Sequence, residues 1–230
     1  MPGRAAVDHL VVAARSLDEG VQWCEATLGI VPGPGGAHPL MGTHNRLFSL
    51  ATPQFPRAYA EILAIDTAAL PARAAPLKRW FDLDSAALRE GLARHGPQLI
   101  HWVANVPDLA DALRRWQALG IERGPALAAA RPTPRGLLEW QIAVRDDGQR
   151  LFDGCLPTLI EWGRVHPADH MPASGVTLQG LQLQHLEAPR LQAACDALGV
   201  QHLPIRTGPA HLAALLDTPR GPVRICSFPT

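Results

Sequence analysis

VDHLVVAARSLDEGVQWCEATLGI, residues 7–30, decides how the rest of the chain is read. An apolar run, VDHLVVA, has the β-branched content of a buried strand. A polar break comes next, in which Ser16 and Glu19 have the spacing of a capping box. Val21, Cys24 and Leu28 then form one apolar stripe at helical spacing, and Gly29 stands where a left-handed C-terminal cap is expected. The same phrase returns twice, as LIHWVANVPDLADALRRWQALGI (99–121) and LQGLQLQHLEAPRLQAACDALGV (178–200). His9 precedes Gly29 by 20 residues, His101 precedes Gly120 by 19, and Gly180 precedes Gly199 by 19. Repetition at nearly constant spacing marks three copies of one supersecondary unit.

Each helix leads into strand-and-turn text. The first copy continues as VPGPGGAHPLMG, THNRLFSLA and YAEILAI. The second continues as a loop through Arg131 to Gly136, then LLEWQIAVRD and LPTLIEWG. The third, shorter, continues as HLPIRTG, HLAALLD and PVRICSF. The expected fold is α+β, built of repeated βαβββ modules. Modules 6–66 and 97–163 pair within residues 1–165, joined by a connector 67–96 that carries a short helix from Ser85 to His95 and packs on the outside. A third, degenerate module occupies 175–230.

Composition narrows the function classes. Lys+Arg and Asp+Glu both number 21 in 230 residues, so no basic surface is implied and nucleic acid is not an expected partner. No apolar run approaches the roughly 20 residues that span a bilayer, and the N-terminus lacks a hydrophobic signal core. A cytoplasmic protein binding a small molecule, with a homodimer as one possible assembly, is the expectation. Cys24, Cys155, Cys195 and Cys226 form no C-x-x-C pair and read as structural.

The polar residues inside apolar strands carry the chemistry. His9 and His101 occupy equivalent places in their opening strands, and Glu61 and Glu161 both lie in closing strands, in AEIL and LIEW. Such residues are costly to bury unless paired or metal-bound, and two imidazoles with two carboxylates suit a divalent ion: iron, manganese, nickel, cobalt or zinc. The third copy has Gly180 at the histidine position and Arg224 near the glutamate position, so it cannot supply the same ligands. Asn45 and Arg46, in a glycine-rich loop with His38 and His44, and the closing-strand Trp140 and Trp162 are candidates for substrate contact. Arg131 and Arg135 are candidate anion contacts. His166 and His170, in HPADH, read as loop surface.

In DHLVVAARSLDEG, GGAHPLMGTHNRLFSL, YAEILAID, LIHWVANVPDLADAL and LFDGCLPTLIEWG the chain resembles the vicinal oxygen chelate superfamily, the glyoxalase, bleomycin-resistance and extradiol dioxygenase proteins, and within it the glyoxalase-like domain proteins. The resemblance covers roughly Val7 to Gly163. It implies paired modules curled into a cup around a metal, with His9, His101 and Glu161 as ligands and Glu61 as fourth ligand or general base. It also implies catalysis by Glu61 and Glu161 in a metal-dependent lyase, isomerase or dioxygenase acting on neighbouring substrate oxygens. The alternative is a non-catalytic sequestering protein of the bleomycin-resistance kind. The arginines that hold glutathione in a glyoxalase I have no clear counterpart.

Overall fold

A computed structural model describes residues 4–70, 73, 75–133 and 136–228. The first module is β1 (Ala6–Ala13), α1 (Leu17–Trp23) prolonged by a π-helical turn (Cys24–Leu28), β2 (Ala37–His38), β3 (Thr43–Ser49) and β4 (Tyr59–Ile65). After the connector helix α2 (Ala86–His95) the second module repeats the order: β5 (Gln98–Asn105), α3 (Leu109–Ala118), β6 (Ala126–Thr133), β7 (Gly136–Ala143) and β8 (Thr158–Trp162). Where a loop was expected around Arg131, β6 runs through to Thr133 and pairs antiparallel with β7.

The two modules form one mixed half-barrel with strand order β2-β3-β4-β1-β5-β8-β7-β6. Its centre is the antiparallel pair β1–β5, and each opening strand runs parallel to the closing strand of its own module. Both halves of the half-barrel therefore come from a single chain.

Capping chemistry fixes the helices. Ser16 Oγ accepts the Glu19 N–H at 3.2 Å, while the Glu19 carboxylate turns back to the Arg15 N–H and guanidinium instead of closing the box. Ser85 and Asp108 cap α2 and α3 in the same way. Gly29, Gly120 and Gly199 end their helices at φ of 75°, 69° and 68°, a region that suits glycine. Gly20 serves packing: a Cβ there would lie 2.2 Å from Ile62 Cγ2 on β4, so its absence sets how closely α1 approaches the sheet.

The sheet has two buried faces. On one, Leu10, Val12, Ile62, Trp102 and Leu159 meet the helices through Cys24, Leu28, Leu109 and Trp116. On the other, concave face, Val11, Leu63, Ile100, Val103, Ile142 and Ile160 meet Trp80, Phe81, Leu83, Leu88 and Leu92 of the connector. The connector expected on the outside is thus the roof of the cup, because its apolar residues complete the concave core. Arg73 and Arg150 tie it down through Asp146 and Asp82, and the Arg79–Asp84 pair braces it internally.

The third segment comprises β9 (Thr177–His185), α4 (Ala188–Leu198), β10 (Ile205–Thr207), β11 (His211–Thr218) and β12 (Gly221–Cys226). It keeps the strand–helix–three-strand order but forms a separate sheet, β10-β9-β11-β12. Its opening strand lies between β10 and β11, and Arg224 sits on the edge strand β12. Leu181, Leu183, Leu191 and Cys195 join the same apolar cluster as Leu10 and Trp102. Trp116 Nε1 donates to the Ala194 carbonyl at 2.8 Å across that contact.

Candidate active site

Between the roof and the concave sheet lies a narrow, partly open cavity. Its polar floor is His9, His38, Asn45, Tyr59 and Glu61, and its apolar walls include Trp80, Phe81, Trp140 and Trp162. Alternation along β4 puts Tyr59, Glu61 and Leu63 inward and Ala60 and Ile62 toward the helices. Along β3 it puts Asn45 inward and leaves Arg46 exposed, so Arg46 does not reach the cavity.

A break in the β1–β5 register between Val7 and His9 brings Asp8 beside its neighbour's ring. Asp8 is the hub of the floor. One carboxylate oxygen accepts His9 Nδ1–H at 2.5 Å; the other accepts His166 Nε2–H at 2.8 Å and Trp162 Nε1–H at 2.9 Å. Burial opposes ionisation of Asp8, but these hydrogen bonds outweigh it and hold the acid well below the usual carboxylate range. His166 is therefore a buried partner of Asp8 and not the surface residue that its loop position suggested.

With Nδ1 committed to Asp8, His9 presents Nε2 to Glu61 Oε2 at 3.7 Å and stacks on Tyr59 at a ring separation of 4.7 Å. Glu61 Oε1 accepts Asn45 Nδ2–H at 2.7 Å, leaving Oε2 facing His9. The Gly36 N–H donates to Asn45 Oδ1 at 2.7 Å and so fixes which end of the amide meets Glu61 and His38 Nε2. Burial lowers His38 to about 4, so it is neutral at pH 7. Burial, with the charges of Asp8 and Glu61, pushes the Tyr59 phenol well above its ordinary value.

The expected four-ligand set does not assemble. His9 and Glu61 meet, but His101 donates Nδ1–H to the Gly154 carbonyl at 3.0 Å and accepts the Thr158 N–H on Nε2 at 3.1 Å. Burial and the adjacent Arg123 hold His101 well below its ordinary pKa. Glu161 points to the helix face, where it accepts the Leu109 N–H at the start of α3 at 2.7 Å. Register explains the miss. Glu61 pairs with Val11, two residues past His9, whereas the residue paired with Val103, two past His101, is Thr158. Thr158 is thus the positional counterpart of Glu61, and the buried Arg123 guanidinium donates to its Oγ1.

These donors do not fit a divalent ion. Both His101 nitrogens are engaged, a guanidinium occupies the second half, and an amide NH₂ is pinned between His38 and Glu61. Among the described residues, no three His, Cys, Asp or Glu side chains are grouped to hold a metal. Asp8, His38, Tyr59 and His166 enter the site without having been singled out as its members. The Asp8–His9 neighbours were the available signal, hidden because adjacent strand residues ordinarily face opposite ways. Arg135 lies outside the described residues. The four cysteines are free, and burial pushes Cys24 and Cys195 up to about 12 and Cys155 to about 11.

A half-barrel of paired βαβββ modules with a polar floor under its concave face defines the vicinal oxygen chelate architecture. Residues 7–199 match the model of the glyoxalase-like domain family, and the chain belongs to that family. No curated protein sequence matches. A hypothetical protein from Staphylococcus aureus shares the fold at TM-score 0.58 and 13% identity, over 96% of this chain and 85% of that one. Methylmalonyl-CoA epimerases also match. That of Streptomyces coelicolor is 16% identical over 70% of this chain and 97% of its own, at TM-score 0.40. That of Mycobacterium tuberculosis is 19% identical over 68% and 85%, at TM-score 0.37. No helix among the described residues is long and apolar enough to cross a membrane.

Proposed function

We propose that this protein is a proton-transfer enzyme, an isomerase or lyase, acting on a small substrate with neighbouring oxygens and using side chains alone. The observation that carries the reading is the Asp8–His9–Glu61 arrangement: a buried carboxylate fixes the tautomer of His9, whose free Nε2 stands 3.7 Å from a free oxygen of Glu61 at a cavity floor. A substrate can present a C–H to His9 Nε2 and the adjacent carbonyl oxygen to Glu61 Oε2. His9 takes the carbon-bound proton, which leaves an enolate. Asp8 stabilises the imidazolium so formed. The proton on His9 then returns to the same carbon, or passes through Glu61 Oε2 to the enolate oxygen or the neighbouring carbon, so that both side chains end as they began. Asn45 holds Glu61 in place, and the aromatic roof and walls keep bulk water from the exchanging proton.

Proton NMR in D₂O tests this with 2-oxo acids and 1,2-dicarbonyl compounds, monitoring loss of signals from carbons beside the carbonyl. Catalysed exchange is expected, reduced by about 10²-fold or more in His9→Gln and in Glu61→Gln and unchanged by a chelator. Exchange no faster than buffer for both compound classes, or exchange indifferent to His9→Gln, overturns the reading.

A further inference from the structure

We infer that the cavity takes substrates bearing a carboxylate, and that Arg131 anchors it. The inference rests on the proton-transfer reading for what happens to the substrate, though not for the binding itself.

Arg131 stands on β6, the edge strand of the second module, and among the described residues is the one Arg or Lys lining the cavity. β2 and β6 are opposite edges of the eight-stranded sheet, yet the Arg131 guanidinium lies against Gly36, just before β2. A Cβ on Gly36 would fall 1.9 Å from Arg131 Nη1. The sheet therefore curls until its edges nearly meet, and the missing side chain at Gly36 makes room for the cation. Gly36 also orients Asn45 through its N–H, so the same residue serves the proton-transfer floor and the arginine.

Nη1 of Arg131 is buried and has no hydrogen-bond partner among the described residues. A buried guanidinium nitrogen without an acceptor is costly, because desolvation is not repaid. The acidic groups of the floor do not relieve it: Asp8 is taken up by His9, His166 and Trp162, and Glu61 by Asn45 and the facing His9. The charge of Arg131 is nonetheless felt there, adding to the downward shift of His38 and opposing the upward shift of Tyr59. A carboxylate entering the cavity supplies the missing acceptor, and guanidinium and carboxylate match in shape as well as charge. The other walls, Leu138, Trp140, Ile142 and Trp162, are apolar. They select an apolar or aryl body on that carboxylate over a second charged group, which points to a monoanionic carboxylic acid and not to a phosphate ester.

Phenylacetate, phenylpyruvate, the neutral phenylacetamide and phenyl phosphate, titrated against the whole chain, test this through the fluorescence of Trp140 and Trp162. The two carboxylates are expected to bind saturably, at least tenfold more tightly than phenylacetamide and phenyl phosphate. Arg131→Met should weaken the carboxylates by about 10- to 100-fold and leave phenylacetamide unchanged. Arg190→Met, a cation outside this cavity, serves as control, and circular dichroism checks folding. If neither carboxylate saturates, if Arg131→Met binds them as wild type, or if phenyl phosphate binds better, the anchor is overturned. The two readings fail separately. Arg131-dependent binding without proton exchange sinks only the enzymatic reading, whereas exchange by a protein whose binding ignores Arg131 sinks only the anchor.

Discussion

His38 and His101 are both held neutral below their ordinary pKa, and the sign of the consequence is fixed. Between the ordinary value of 6.5 and the folded-state value of about 4 for His38, the unfolded chain binds a proton that the folded one does not. Stability is therefore complete above about pH 6.5 and falls as pH drops toward 4, with a slope of up to about 1.4 kcal/mol per pH unit for each histidine. Urea midpoints measured across that window should flatten by one such contribution in His38→Gln and again in His101→Gln. An unchanged slope would show that the burial of these rings is not what keeps them neutral. At this scale the sequence was partly legible. His9, Glu61 and Asn45 stood out as polar residues within or beside apolar runs. Asp8 did not, because only the irregular register between Val7 and His9 brings it to the ring. His166 did not either, because its loop carries no periodicity from which burial can be read.

Among the elements, α1 depends on the missing side chain of Gly20. Alanine is the better helix former by about 1 kcal/mol, yet its Cβ would lie 2.2 Å from Ile62 Cγ2. Overpacking of this kind costs about 1–3 kcal/mol, so Gly20→Ala should be net destabilising by about 1–2 kcal/mol in chemical denaturation. The double variant Gly20→Ala/Ile62→Ala should show non-additivity, losing less than the sum of the single changes. Helix positions were readable because caps and terminal glycines are local signals. The register of β8 was not: Glu161 and Thr158 are three residues apart in one strand, and only the pairing of Val103 with Thr158 shows which one corresponds to Glu61. The connector was misjudged for a related reason. Trp80, Phe81, Leu88 and Leu92 are as apolar as any core segment, but which surface they cover is a tertiary fact.

For the whole molecule, the repeats announced the paired modules, while the separate sheet of the third segment left no trace in its spacing. That segment is welded to the others by the cluster joining Leu181, Leu191 and Cys195 to Trp102 and Trp116. A chain ending at residue 173 should consequently lose cooperative unfolding in calorimetry; a sharp transition in that truncated chain would show the half-barrel folds alone. The buried Arg123, donating to Thr158 beside His101, has a different kind of consequence. Where duplication offers two equivalent sets of donors, this chain has installed a positive charge of its own in one of them. A guanidinium built into the chain is made with every copy, so the positive charge in this half of the cup is not one that has to be taken up from outside.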